Sequence, residues 1–363
     1  MKAKKIVCLA LVLTIFSSFG MVANAVELEE SNVLLNLDEA AVVTDEDIVY
    51  IIRDELIVQE HIAAELSQLE QELNQLIYEL RLIMPQLPPI DLSKFEVMYR
   101  MDEDVSLYSV LTDDTVEYLT AMVNQQIYDS TTPEMRELES RIEENLQEIY
   151  VLVNQNFARQ SEIGIAPLYA DHAIAMTLNA WDGISVPAVL LEGGIARDRA
   201  LRDFPYAGQA ANLRDAFRHF YWTWRMSNNI LLGARGSRIA SNNHEWANMI
   251  GRRHGGNVIN AVQVRSQYLN SINTVAIFNA IFSRDDIMDF WNNRSGATDA
   301  TANGNARAIF DARWQNTQML MRNNNTSALL SPLTLVVSAQ DGIGGTCVQR
   351  RQQLFNSGWW RNP

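Results

Sequence analysis

The sequence predicts an all-α protein, in which an N-terminal helical bundle or coiled-coil hairpin is followed by a compact helical C-terminal domain. Three observations support this class. Of the 363 residues, 47% are hydrophobic and 20% are charged, with only 17 Gly and 9 Pro, a composition typical of globular proteins. Apolar residues recur at helical spacing through the first half of the chain. The second half contains helix-like segments in which polar side chains are four residues apart.

The N-terminus has the features of a secretion signal. Three lysines among the first five residues precede an apolar run, and Ala23-Asn24-Ala25 supplies small residues for a signal peptidase. The run is shorter than the roughly 20 apolar residues that cross a bilayer. We therefore expect cleavage after Ala25, no transmembrane span, and a protein that is secreted or associated with the cell surface.

Charge divides the chain into two predicted domains. Residues 26–170 contain 31 Asp and Glu against 7 Lys and Arg, whereas residues 171–363 contain 13 against 19. After the leader at residues 1–25, we expect an acidic helical region over residues 26–165 and a helical domain over residues 171–363. Their opposite net charges would let the two regions attract each other.

The acidic region carries an apolar stripe typical of a long helix. Spacings of four and three separate seven hydrophobic residues, which keeps them on one helical face. They are Ile62, Leu66, Leu69, Leu73, Leu76, Leu80 and Ile83. A capping pattern and Pro85 bound a predicted helix over residues 45–84. Further helices are predicted over residues 113–128 and from Pro133 onward. The stripe can pack within the chain, which we favour, or pair with a second copy as a coiled coil.

Three segments of the basic half offer side chains suited to chemistry. In the first, Asp215 and His219 are four residues apart and share one face of a predicted helix. A carboxylate bonded to one ring nitrogen would leave the other free for a metal or a proton. The second segment contains His244 and Glu245, and the third contains Asp289.

These segments also have a structural interpretation. Asn242, followed three residues later by Glu245, resembles a capping box at the start of a helix. Asn292 or Asn293 would end a helix before Gly296. The polar side chains would then form a buried network that specifies helix packing without catalysis.

The three segments follow a distinctive order of motifs. They read D-A-x-R-H-x-x-W at residues 215–222, H-E at residues 244–245 and M-D-x-x-N-N-x-x-G at residues 288–296. This order resembles an uncharacterised, mostly helical domain family of secreted bacterial proteins and toxin-like modules. The resemblance covers about residues 212–296. It implies a helical domain and an exported bacterial setting, and it implies no activity.

We hypothesise that the polar side chains converge on a divalent metal ion. His219, His244 and Asp289 would be the ligands, and Asp215 would orient His219. Glu245 would act as general base, with His219 as a further acid/base group. A mixed nitrogen and oxygen site of this kind suits an ion that activates water for hydrolysis.

Three arginines near these motifs predict an anionic substrate. Guanidinium groups match phosphate and carboxylate, so Arg214, Arg218 and Arg225 would bind a phosphodiester, a phospholipid headgroup or a wall polymer. The sequence thus predicts a metal-dependent hydrolase. The alternative is a non-catalytic binding protein that attaches to an anionic surface and engages a partner, or self-associates, through its acidic helices. We do not expect nucleic acid as a ligand, because the basic half has an excess of only 6 basic residues.

Overall fold

The computed structural model describes ten segments of the chain: residues 44–45, 48–49, 60–91, 95–101, 107–158, 170–205, 213–301, 304–316, 318–320 and 347–362. Within them the protein is mostly α-helical, which confirms the predicted all-α class. In chain order the helices are α1 Glu60–Ile83, α2 Asp113–Ser130, α3 Pro133–Ala158, α4 Ala170–Trp181, α5 Val186–Asp203, α6 Leu213–Asn228, α7 Gly233–His254, α8 Val258–Ser271, α9 Val275–Ile281, α10 Arg284–Asp299, α11 Ala306–Gln315 and α12 Cys347–Ser357. The predicted signal peptide and the predicted boundary near residue 165 lie outside the described residues.

Two short antiparallel strand pairs accompany the helices. Strands β1 Thr44–Asp45 and β2 Ile48–Val49 form the first pair, and β3 Val97–Met101 and β4 Leu107–Leu111 form the second. The prediction of a helix beginning at residue 45 is therefore wrong, because β-branched Thr, Ile and Val favour extended backbone there. The predicted stop is confirmed, since α1 ends at Ile83, two residues before Pro85.

The apolar stripe of α1 packs against α3 within the chain. Six of its seven residues are buried, and Leu73 and Leu80 are fully inaccessible to solvent. The facing stripe of α3, from Met135 to Val153, is buried as well. Hydrophobic burial of this kind is the main source of helix stability in proteins. The stripe thus has a partner inside the chain, in the packing that we favoured.

The predicted helix over residues 113–128 is confirmed by α2. Its N-cap is Thr112, whose side-chain oxygen accepts a hydrogen bond from the backbone N–H of Thr115 at 3.2 Å. Thr132 accepts in the same way from Met135 at 3.2 Å near the start of α3. These caps satisfy backbone donors that a helix leaves unpaired at its first turn.

The largest hydrophobic core contains side chains from both halves of the chain. Leu73 of α1 and Trp246 of α7 belong to it. A polar contact reinforces this packing: the buried carboxylate of Glu70 accepts hydrogen bonds from the Ser185 side chain and from the backbone N–H of Val186. Glu70 of α1 therefore supports the N-terminus of α5.

Helix α10 crosses α6 very closely at Gly296. A β-carbon at this position would lie 2.0 Å from the carbonyl oxygen of Phe220 and 2.3 Å from the hydroxyl of Thr223. Only glycine allows this approach, because it has no side chain. The crossing brings the inward-facing residues of α10 against those of α6.

Asn242, Asn292 and Asn293 do not mark helix ends, so that part of the structural interpretation is wrong. Asn242 lies inside α7, and Asn292 and Asn293 lie inside α10; all three are buried. Asn242 donates to the carbonyl of Trp359, and Asn292 exchanges two hydrogen bonds with the backbone of Leu320. These distant partners compensate for the preference of asparagine for caps and turns.

Residues 358–362, which we call the C-terminal tail, are docked on α7. Trp360 is fully buried in the main core. The guanidinium of Arg238 donates hydrogen bonds to the backbone carbonyls of Gly358, Trp359 and Arg361. Among the described residues, none of the helices has the length and apolar character needed to cross a membrane.

Candidate functional site

Helices α6 and α10 bring two carboxylates and an imidazole together. One oxygen of Asp215, one oxygen of Asp289 and a ring nitrogen of His219 lie within 4.8 Å of one another, and we call these three residues the ligand cluster. Nε2 of His219 is 3.5 Å from Oδ1 of Asp289 and 3.8 Å from Oδ1 of Asp215. These two distances are within the roughly 4 Å that can separate two ligand atoms, each about 2 Å from a shared ion. The ligand cluster therefore has dimensions suited to one divalent cation.

Asp289 provides a buried acceptor without a hydrogen bond. Its Oδ1 atom has no hydrogen-bond partner among the described residues, although it is inaccessible to solvent. Burial raises the pKa of Asp289 well above its ordinary value, and the nearby carboxylates of Glu245 and Asp215 raise it further. Such atoms are rare in folded proteins and call for an explanation, which an ion would supply.

His219 is held as a neutral imidazole. It is 2% exposed. Burial, together with the charge of Arg218, lowers the pKa of His219 to about 4. A neutral ring has one protonated nitrogen and one with a free lone pair. His219 is therefore in the protonation state that binds metal ions.

Asn293 determines which ring nitrogen carries the proton. Its Nδ2 donates to Oε1 of Glu245 at 2.9 Å, so its Oδ1 faces Nδ1 of His219 at 3.2 Å. An amide oxygen only accepts, so Nδ1 must carry the proton. The lone pair is then on Nε2, which faces the two aspartates. The sequence did not lead us to assign this role to Asn293. A signal was present, because Asn293 follows Asp289 by four residues and therefore shares its helical face.

Glu245 lies on the Nδ1 side of His219, with its Oε1 3.8 Å from that nitrogen, and it is not one of the three ligand residues. It is fully buried, and its Oε2 accepts a hydrogen bond from Asn248 at 3.2 Å. Burial raises the pKa of Glu245 well above its ordinary value, and the charge of Asp286 adds to this. Glu245 accepts a hydrogen bond from Asn293, which in turn contacts Nδ1 of His219. Glu245 can therefore help to orient the imidazole ring.

Arg218 contacts two of the three ligand atoms. Its Nε and Nη2 donate to Oδ1 of Asp215 at 3.0 and 2.6 Å, and its Nη2 is 2.9 Å from Nε2 of His219. Burial alone would lower the pKa of Arg218, but the carboxylates of Asp215 and Asp289 raise it above its ordinary value. Arg218 therefore remains charged and balances the acidic side chains.

His244 lies beside the ligand cluster and is not part of it. Its ring centroid is 6.0 Å from that of His219, 5.5 Å from that of Trp222 and 6.3 Å from that of His172. Burial and the nearby His219 lower the pKa of His244 well below its ordinary value. His244 therefore lies in a row of aromatic rings. His172, which we did not single out from the sequence, extends this row.

The other two arginines proposed for substrate binding have partners elsewhere. Arg214 donates to the carbonyl oxygen of Phe204 at 2.8 Å, just beyond the end of α5. Arg225 forms a short ion pair with the buried Glu192, at 2.6 Å. Of the three arginines, only Arg218 lies at the ligand cluster.

The fold and site define a helical domain that buries an Asp/His/Asp cluster between two closely crossing helices. Residues 189–326 match a protein family described as Domain of unknown function (DUF6973). The matched segment contains all three motifs and the complete ligand cluster, and it agrees with the resemblance to an uncharacterised family. No curated protein and no solved structure matches the chain.

Proposed function

We propose that the protein is a metal-dependent hydrolase of anionic substrates and that Asp215, His219 and Asp289 bind its divalent ion. The observation that carries this proposal is the convergence of three ligand atoms within 4.8 Å. Two features of the same residues support it: the unpaired oxygen of Asp289 and the neutral His219 with its lone pair on Nε2.

Each side chain has a distinct role in this proposal. Two carboxylates and one imidazole form a ligand set suited to Zn²⁺, Mn²⁺ or Mg²⁺. An ion held there would polarise a substrate oxygen and lower the pKa of a water molecule. Asn293 and Glu245 keep His219 in the orientation and tautomer that binding requires. This role for Glu245 replaces the general base that the sequence suggested.

The setting of the reaction is part of the proposal. A signal peptide at residues 1–25 would export the protein from a bacterial cell. At the cell surface, phospholipid headgroups and wall polymers present phosphodiesters. Arg218 would be the substrate-binding cation, because it is the arginine at the ligand cluster. A phosphodiester is therefore the substrate class that we favour.

Metal content and thermal stability of the full chain test the proposed ion. We expect one ion per chain, a lower Tm after chelation, and hydrolysis of bis(p-nitrophenyl) phosphate that depends on the ion. His219→Ala and Asp289→Asn should lose the ion. Asp289→Asn should also raise the Tm of the chelated protein, because it removes the acidic group of a buried side chain whose Oδ1 has no hydrogen-bond partner among the described residues.

Glu144→Gln is the matched control, because it makes the same acid-to-amide change at an exposed position of α3. It should retain the ion and the activity. The proposal is wrong if the wild type binds no ion and its Tm is unchanged by Zn²⁺, Mn²⁺, Mg²⁺ or Ca²⁺.

A non-catalytic binding protein is the second candidate, because Arg218 already bonds Asp215 and His219. In that case the polar residues serve as a structural network. The protein would then attach to an anionic surface or self-associate, and its binding would survive chelation. Retained binding with no hydrolysis would favour this function.

A further inference from the structure

We infer that Arg218 competes with the divalent ion for Asp215 and His219, and that ion binding releases its guanidinium to hold an anionic group beside the ion. This inference rests on the proposed metal site. It identifies Arg218 as the residue that couples binding of the ion to binding of a phosphate group.

The competition follows from the lone pair of His219. Because Nδ1 carries the proton that is donated to Asn293, Nε2 has a single lone pair. Nη2 of Arg218 lies 2.9 Å from this atom and uses the lone pair as a hydrogen-bond acceptor. A metal ion needs the same lone pair for coordination. The guanidinium and the ion therefore cannot bind Nε2 of His219 at the same time.

Asp215 strengthens the competition. The same Nη2 atom of Arg218 is 2.6 Å from Oδ1 of Asp215. A divalent ion bridging Asp215 and His219 would lie where this nitrogen lies and would repel its positive charge. Entry of the ion therefore requires the guanidinium to move.

Arg218 has more access to solvent than Arg225, the arginine near the end of α6. Its side chain is 40% exposed, whereas that of Arg225 is 14% exposed and is paired with a buried glutamate. Arg218 can thus turn toward solvent without opening the core. From there its fork of donors can bind a phosphate bound to the ion, in the bidentate geometry that guanidinium prefers.

Coupling between the two ligands is the testable consequence. A phosphate that binds Arg218 draws it away from Asp215 and His219, so phosphate should tighten ion binding. By thermodynamic reciprocity the ion should tighten phosphate binding by the same factor. We expect a factor of about 5 to 150, the usual range for coupled sites.

The experiment measures Mn²⁺ affinity of the full chain by electron paramagnetic resonance, with and without inorganic phosphate. In the wild type, phosphate should increase the affinity. In Arg218→Gln, the affinity without phosphate should exceed that of the wild type by about tenfold, within the range of such couplings. Phosphate should have no effect on this variant.

Arg235→Gln is the control, because it removes the same charge from an exposed position of α7. It should behave like the wild type, and it corrects for Mn²⁺ complexed by phosphate in solution. Circular dichroism verifies folding. If Arg218→Gln does not fold, Arg218→Lys replaces it, because an ammonium group lacks the second donor, Nε, by which the guanidinium also holds Asp215. This variant should bind Mn²⁺ more tightly than the wild type.

The outcomes separate the two proposals. Equal or weaker Mn²⁺ binding by Arg218→Gln than by the wild type would overturn the competition and leave the metal site standing. If the variant binds Mn²⁺ and the wild type does not, even with phosphate, then Arg218 occupies the metal site permanently. That result would overturn the inference that the ion releases Arg218. No binding by either protein would overturn the metal site itself.

Discussion

The amide of Asn293 accepts from Nδ1 of His219 at 3.2 Å and donates to Glu245 at 2.9 Å. One side chain of α10 thus links an imidazole of α6 to a carboxylate of α7. The link places the lone pair of His219 on the nitrogen that faces Asp215 and Asp289. Orientation of a ligand by a neighbouring group is a general feature of metal sites.

Replacing Asn293 with alanine should weaken metal binding. The tautomer of His219 would no longer be specified, and Glu245 would lose a hydrogen bond, so we expect affinity to fall about 10- to 100-fold. Isothermal titration with Zn²⁺ measures this.

The adjacent Asn292 supplies the control. Its side chain bonds the backbone of Leu320 and not the ligand cluster. Asn292→Ala should lower the Tm and leave the metal affinity unchanged. Equal affinities for the two variants would exclude the orienting role of Asn293.

Gly296→Ala should destabilise the protein and disturb the site. The added carbon would lie 2.0 Å from a backbone oxygen of α6, which cannot rotate away. We expect a loss of about 3 kcal/mol in the free energy of unfolding, the upper end of the usual range for overpacking. The separation of α6 and α10 should also reduce metal affinity, and urea unfolding with metal titration measures both effects.

Gly193→Ala is the matched glycine substitution. Its added carbon would lie no closer than 3.6 Å to a neighbour, the indole nitrogen of Trp222. Because alanine favours helix, this variant should gain up to about 1 kcal/mol. Similar losses from both variants would refute the role of the close crossing at Gly296.

Glu70 should make stability depend on pH. Burial raises its pKa from 4.5 to about 7, and the hydrogen bonds from Ser185 and Val186 offset only part of this shift. Between these two pH values the unfolded chain releases the proton while the native protein retains it. The native state therefore loses stability as pH rises through this window, by about 3 kcal/mol in all.

Glu70→Gln should remove this dependence, because the amide keeps an acceptor for Ser185 and Val186 without a charge. Urea unfolding at pH 5 and pH 8 should show the wild type losing more stability than the variant as pH rises. The exposed substitution Glu144→Gln should reproduce the wild-type loss. A Glu70→Gln variant that loses as much stability as the wild type would contradict the assignment.

Trp360→Ala should be more harmful than Trp359→Ala. Trp360 is fully buried, so truncation to alanine should cost about 3 to 5 kcal/mol. Trp359 is partly exposed, and its ring lies under Arg238, with the guanidinium carbon 5.2 Å from the ring centroid. We expect its truncation to cost less than about 2 kcal/mol, because a cation–π contact at a partly exposed site is weak. Chemical denaturation of both variants checks whether the C-terminal tail completes the core.

Local patterns were sufficient to predict helices at α1, α2, α3 and α6. The apolar spacing of α1 and α3 is a property of consecutive turns, and the buried Leu73 and Leu80 follow directly from it. The spacing of Asp215 and His219 likewise predicts one shared face on α6. These features depend on residues a few positions apart, so a single sequence contains them.

Partners far apart in the chain decided the rest. Asn293 bonds Glu245 across 48 positions, and Arg225 bonds Glu192 across 33. From the sequence alone, Asn293 is a helix end and Arg225 is equivalent to Arg218. Local propensity describes what a side chain does with its own backbone, whereas burial imposes hydrogen bonds with whatever the fold brings near.

The sequence by itself determined the helical class and the three motifs that contain the candidate ligands. Only the tertiary structure decided that Asp215 joins His219 and Asp289 in one cluster while His244 lies outside it. The physical reason is the crossing of α6 and α10 at Gly296, where two backbones meet without a side chain between them. That contact sets the distance between the helices, and the distance sets which polar atoms can share one ion.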